Sequence, residues 1–484
     1  MKNPLQKRYK RELRQDLGKY LAIFLFMVIS IGFISGFLVA GTSMKTTYDQ
    51  SFEKYNIEDG HFILKEEADS ELIENLEDEE NIKLYAQPYI EEKAADGNTY
   101  RIYADRKDVN KTSVLSGELP GSDDEIAIDR LFAENNKLTV GDSIELNGKS
   151  WKISGMVALS DYSALFKNNS ELMLDAKNFA VAVTTQGGFD AMAENLKGLK
   201  GESTSTRSLK HCYAWKWNKE NMSDRAKRDK SEDMMSTLVK EAFYSDNEVK
   251  DFLQEADNQA IHFSGNDLGS DKQMVIWFMY IITAILAFVF AVTTLNTIEK
   301  EAVVIGTLRA SGYTRAELIR HYMTLPLVIT LIACLIGNIL GYTIFKNTVA
   351  ELYYGSYSLP TYKTLWNPEA FLLSTAGPEV IMILINFLAL HKKLKLSPLS
   401  FLRGQTEKER RNRVMRLPNI RFFDRFRLRV ILQNKGSYLV LLFGIMFANL
   451  LLMFGLMFTP LLEQYKSEIL DNQIRCGKNI EAAF

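Results

Sequence analysis

Five apolar stretches constrain this chain more than any other feature: Leu21–Met44, Gln273–Ile298, Tyr322–Phe345, Ala370–Leu390 and Gly436–Leu462 are free, or nearly free, of Asp, Glu, Lys and Arg. A bilayer core about 30 Å thick takes roughly 20 helical residues, and a charge at its centre costs about 2.5–3.5 kcal/mol. All five therefore read as membrane-spanning helices. The mean hydropathy of the 484-residue chain is −0.11, which describes neither the five runs nor the polar segments between them.

Basic residues set the orientation. Residues 1–20, MKNPLQKRYKRELRQDLGKY, form a basic amphipathic entry helix, and residues 391–435 carry HKKLKLSPLSFLRG and EKERRNRVMR; both are expected on the cytoplasmic side. Residues 45–271 are acidic and belong outside. With alternating spans at 21–44, 273–298, 322–345, 370–390 and 436–462, residues 299–321 form a cytoplasmic loop. Residues 346–369 then form an external loop, and 463–484 an external tail. The first apolar run exceeds the usual 7–15 residues of a signal-peptide core and is expected to be retained. Cys212, Cys334 and Cys476 lie far apart and suggest neither a disulfide framework nor a metal motif.

An internal echo organises these parts. Gln15-Asp-Leu-Gly-Lys-Tyr-Leu precedes the first span and Gln433-Asn-Lys-Gly-Ser-Tyr-Leu the fifth, each behind a basic helix with apolar residues at steps of four. This reads as a duplicated unit, entered a second time near the end of the chain, and the chain is expected to be incomplete. The segment 45–271 reads as one α+β domain. EIAID and SIELNGKSWKISG alternate as strands, Gly141-Asp142 is a turn, Asn147-Gly148 is a two-residue hairpin and RLFAENN is a short helix. Residues from about 200 to 270 are mostly helical in composition. The fold class is a multi-pass α-helical membrane protein with a large extracytoplasmic α+β domain inserted after the first span.

Chemistry-bearing motifs are sparse. SIELNGKS approaches a phosphate-binding loop but lacks the first glycine and sits in strand-like alternation, whereas phosphate binding needs a glycine-rich loop opening a helix. The five histidines form no ligand cluster, and no convergent nucleophile and base are found, so no catalytic residue, metal, cofactor or nucleic-acid partner is expected. Glu379, in STAGPEVIMILINFLAL, is an ionisable group inside a span and hence a functional candidate. The structural alternative is that Gly377-Pro378 restarts a helix there, with the acid in its favourable first turn.

The remaining motif is the polar loop TIEKEAVVIGTLRASGYTRAE between the second and third spans. It reads as a short helix with a small-residue face, a break at Ser311-Gly312 and a new helix capped by Thr314. It is too polar to insert and too apolar to be merely solvated, so a cytoplasmic protein docked there could push on both attached spans. At Glu299-Lys300-Glu301, Ile305-Gly306, Leu308-Arg309-Ala310 and Gly312 the loop resembles that of the FtsX-like and MacB-like permeases of ABC transporters. Glu301 stands where that family usually has Arg, and Val304 where it has an acid. The resemblance extends to the GELP, EIAID and VGD succession in the large domain and to LSPLSFLRG after the fourth span.

The resemblance implies that these nine residues dock a dimeric cytosolic ATPase, and that a second permease copy or a missing C-terminal half completes the membrane part. It also implies a bacterial plasma-membrane location with the N-terminus cytoplasmic. The expected role is a non-enzymatic permease that turns a partner's ATP hydrolysis into motion of the external domain, acting on a peptide, lipoprotein or lipid-like substrate. The alternative is a membrane-anchored regulator that recruits or activates a cell-wall hydrolase.

Overall fold

The computed structural model describes residues 8–146, 148–197, 207–218, 222–403, 421–433 and scattered positions between 438 and 464. The fifth apolar run thus falls largely outside the described residues, as does the terminal tail. The chain divides into two compact units, residues 1–290 with 320–387, and residues 291–319 with 388–484.

In the first unit, helix α1 (Tyr9–Gln15) is followed by α2 (Leu17–Lys54), which outruns the first apolar stretch at both ends. Strand β1 (Gly60–Leu64), helix α3 (Ser70–Glu80) and strands β2 (Ile82–Ala86), β3 (Tyr89–Lys93), β4 (Thr99–Ala104) and β5 (Thr112–Gly117) open the inserted domain. It continues through β6 (Glu125–Asp129), α4 (Arg130–Asn135), β7 (Ser143–Leu146), β8 (Lys149–Leu159), β9 (Phe179–Thr184), α5 (Gln186–Lys197), β10 (Arg207–Trp217), α6 (Asp224–Tyr244) and β11 (Val249–Gln254). The strands form one mixed sheet in the order β11-β1-β10-β3-β4-β9-β6-β8-β5, with β2 beside β10 and β7 beside β8.

Local chemistry explains the elements. Every side chain of β9, FAVAVT, is buried, as expected of a central strand covered on both faces. Asp129 ends β6 and caps α4, accepting from the Leu131 and Phe132 amides at 2.8 and 3.1 Å. The β7–β8 hairpin turns at Gly148, with φ +67°, and Gly141 turns at φ +100°, both where the sequence places turns. Among the described residues from 207 to 270, α6 and the start of α7 fit the mostly helical expectation, whereas β10 and β11 depart from it: the long β10 pairs with β1, β2 and β3, and β11 forms the sheet edge. Their side chains alternate between two cores. Phe62, Leu64, Tyr213 and Trp215 pack with Leu72 and Leu76 of α3 and with Met234 and Leu238 of α6.

The long helices of this unit belong to α2, to α7 (Gln259–Lys300), which leaves the domain immediately after β11, and to a pair of later segments. Between them come α8 (Ala302–Ala310) and then α9 (Arg315–Leu340), which continues through one π-turn, residues 341–345, into α10 (Lys346–Tyr354); α11 spans Pro368–Lys393. Four stretches, Leu17–Lys54, Gln259–Lys300, Arg315–Tyr354 and Pro368–Lys393, are long and apolar enough to cross a membrane. Small residues set their packing. Gly32 and Gly36 on α2 face the region of Gly337 and Gly341, and a Cβ on Gly341 would stand 2.7 Å from Cβ of Ser35. Two such four-residue glycine spacings let backbones approach where lipid supplies no hydrophobic drive. Asn338 Oδ1 accepts from Ser35 at 2.8 Å and from Ser374 at 2.7 Å, tying α2, α9 and α11. Helix α1 is held at the start of α9, where His321 Nε2 and Glu12 meet at 3.0 Å and the Tyr9 ring stacks on His321 at 4.6 Å.

The segment after α10 is fastened to the inserted domain. Ser358 donates its hydroxyl to Asp129 and its amide to the Ser163 carbonyl at 2.8 Å, and Arg130 donates to the carbonyls of Tyr354 and Tyr357 at 2.7 and 3.0 Å.

Candidate coupling site

The second unit gathers the polar loop and the chain that follows α11. Helix α7 ends at Lys300 and α8 starts two residues later, with Glu301 at its N-cap but no side-chain cap. The break at the other end is fully built. The Gly312 amide donates to the Arg309 carbonyl at 3.3 Å and the Tyr313 amide to that of Leu308 at 3.1 Å, while Gly312 holds φ +99°. This is the left-handed termination that favours glycine. The next helix begins on a reciprocal cap: Thr314 Oγ1 accepts from the Glu317 amide at 3.2 Å, and the Thr314 amide donates to the Glu317 carboxylate at 2.8 Å. The Thr314 cap expected from sequence is therefore present, with Glu317 as its partner.

Helix α8 packs on α12 (Pro398–Leu402), a one-turn helix capped by Ser397. Ile298, Ala302 and Ile305, spaced at four and three residues, are buried, as are Leu390, Leu394 and Phe401. Each such large side chain contributes about 1.5–3 kcal/mol on burial. Gly306 is the close-approach point, since a Cβ there would lie 2.8 Å from the Leu402 amide nitrogen. Arg309 donates to the carbonyls of Leu394 and Leu396, just beyond the end of α11, where a cation complements the helix dipole. Burial and nearby Arg315 both lower the Arg309 pKa. Lys393 pairs with Glu299.

The nine residues singled out from the sequence thus divide. Ile305 and Gly306 are buried, Glu301, Leu308 and Arg309 are half-buried, and Glu299, Lys300, Ala310 and Gly312 are exposed. Gly306 and Arg309 hold α8 to α12 and to the end of α11. The outward surface includes two residues outside those nine, Val303 at 56% and Val304 at 45% exposure. Their signal lay in the apolar pair itself, out of phase with the buried Ala302 and Ile305. The partners Lys393, Leu394, Leu396 and Leu402 belong to the LSPLSFLRG region, noted for resemblance but not as the seat of the loop.

Glu379 needs a correction. Helix α11 starts at Pro368 and Pro378 lies inside it, so Gly377-Pro378 does not restart a helix and Glu379 lies well beyond the first turn. Gly377 serves close packing instead, because a Cβ there would meet the Tyr280 ring of α7 at 2.6 Å. Glu379 is part-buried, and its Oε2 is buried without a hydrogen-bond partner among the described residues. Among the described residues there is no group of three or more His, Cys, Asp or Glu able to hold a metal.

Four helices long and apolar enough to cross a membrane, and a loop whose short helix is built on a one-turn helix, fit a membrane protein. Residues 276–398, which run from α7 through the loop to α12, match the family model described as FtsX-like permease C-terminal. Over these residues the chain is similar to FtsX-like permeases. No curated protein matches it.

Proposed function

We infer that the protein is a multi-pass permease subunit of a bacterial plasma membrane, with its N-terminus and the loop of residues 299–321 in the cytoplasm and the α+β domain outside. A separate dimeric ATPase docks on the loop and does the ATP chemistry. The observation that carries this reading is the match of residues 276–398 to the FtsX-like permease family, which takes in a loop whose helix α8 presents Val303 and Val304 outward. An exposed apolar pair ringed by Glu299, Lys300 and Ala310 suits a protein partner, with the charges selecting it. A second permease copy or a C-terminal half completes the membrane assembly, and lipid surrounds it.

Work applied at α8 passes to α7, continuous from Gln259 to Lys300 and about 63 Å long at 1.5 Å per residue. The far end of that helix adjoins β11, so motion reaches the domain without an intervening loop of any length. The cargo handled at the outer face is a peptide, lipoprotein or lipid-like molecule. Co-purification of the full chain with its ATPase tests this. Val303→Glu combined with Val304→Glu abolishes recovery of the ATPase while membrane insertion persists. Arg309→Glu also loses it, by releasing α8 from the end of α11. Undiminished ATPase recovery with the double variant discards the docking role.

A further inference from the structure

The inserted domain holds a partly open cavity of about 100 Å3. Its floor is the sheet face opposite α3 and α6, where His61 and Ile63 alternate with the core residues Phe62 and Leu64. Its roof is the segment around residues 161–169 and the start of α7. That roof is stapled down. Asn169 accepts from the Gln259 amide at 2.9 Å and donates to the Asp257 carbonyl at 2.9 Å, and the Ser163 hydroxyl reaches the Ile261 carbonyl at 2.8 Å.

The walls are ionic to a degree that packing does not require. Glu58 meets His61 Nδ1 at 2.5 Å and accepts from Asn110 at 2.6 Å. Arg106 grips Asp161 with two bonds of 2.7 Å. Arg101 donates to Glu91 at 2.8 Å and to Tyr162 at 2.7 Å, lying 4.6 Å from the centre of the Tyr89 ring. Burying paired charges is no more stabilising than filling the space with apolar side chains, so such a set points to a polar occupant. Burial lowers the His61 pKa, but Glu58 outweighs it and raises the value overall; burial likewise raises the Glu58 pKa, and His61 and Asn110 reverse it. Acidic and basic groups share the lining itself, Glu58, Asp161 and Asp251 with Arg101, Lys167 and His61.

The guest therefore meets charges of both signs. Groups with capacity to spare line the space: His61 has Nε2 beyond its bond to Glu58, Lys167 makes one ion pair at 3.1 Å to Glu91, and the Asp251 carboxylate has no ion pair among the described residues. Size narrows the class further. A cavity of about 150 Å3 holds benzene, so this one takes about four non-hydrogen atoms within it, the rest of a small guest extending toward solvent past Asp251 and Lys167.

We propose that this cavity is a binding site for a small amino-acid zwitterion, its ammonium on Asp251 and its carboxylate on Lys167 and His61. The bound molecule touches the first turn of α7 through the roof, and its binding requires no ATPase.

Calorimetric titration of the full chain in detergent tests this, with glycine and L-alanine as probes and acetate, methylamine and glucose as controls. Glycine or alanine gives saturable binding and the controls give none. Asp251→Asn and Lys167→Met each weaken it by about tenfold or more, equivalent to about 1.4 kcal/mol, without lowering the unfolding temperature. Both side chains reach solvent, so neither variant threatens the fold. Absence of saturable heat with either amino acid, equal binding of acetate, or unaltered affinity in both variants overturns the site.

Discussion

Asp129 shows how one side chain serves two elements. It caps α4 and accepts from Ser358, while burial outweighs these hydrogen bonds and pushes its pKa up to about 6 from an ordinary 3.8. A carboxyl whose folded pKa is raised stabilises the fold fully below about pH 4, and that contribution is lost as pH climbs through 6. Two units correspond to an upper bound on the order of 3 kcal/mol. Stability of the wild-type protein relative to Asp129→Asn should therefore increase as pH falls from 7 to 4.5, read by thermal unfolding. A difference that stays flat over that range would show that the carboxyl is not held neutral. Asn retains the capping oxygen, so the comparison isolates the titration.

Among the elements, the long helices are where sequence and structure agree most closely. An apolar run is its own signal, because the lipid core demands one. What joins those helices was less legible. Asn338 reads as an isolated polar residue in an apolar run, and only the fold brings Ser35 and Ser374 to it across 303 and 36 residues of chain. Asn338→Leu should cost about 1 kcal/mol in reversible unfolding, the scale of hydrogen bonds between membrane helices. A neutral result would mean that the two hydroxyls find other acceptors. Strand β10 was missed for a different reason. RSLKHCYAWKW sits in charged surroundings that favour helix by composition, and its alternation is blurred because it feeds a core on each face. The loop of residues 299–321 was legible as a helix, a glycine break and a capped second helix. Its inner face was not, since the α12 turn that occupies it lies 88 or more residues further along the chain.

At the scale of the whole molecule the proposal rests on sidedness. In a background without Cys212, Cys334 and Cys476, a cysteine introduced at Lys149 should react with an impermeant thiol reagent added outside intact cells, and one at Glu301 should react only after lysis. Equal labelling of both positions from outside would refute the topology. Lys149 is exposed on the β8 hairpin, which makes it a fair reporter.

Among the described residues, the domain is fixed to its surroundings at three places: where α2 runs into it, where α7 leaves it, and where Ser358 and the backbone beyond α10 bind Asp129 and Arg130. A flag on a single pole can swivel in any wind. A table on three legs cannot; lengthen or shorten one leg and the top must tip about the line through the other two.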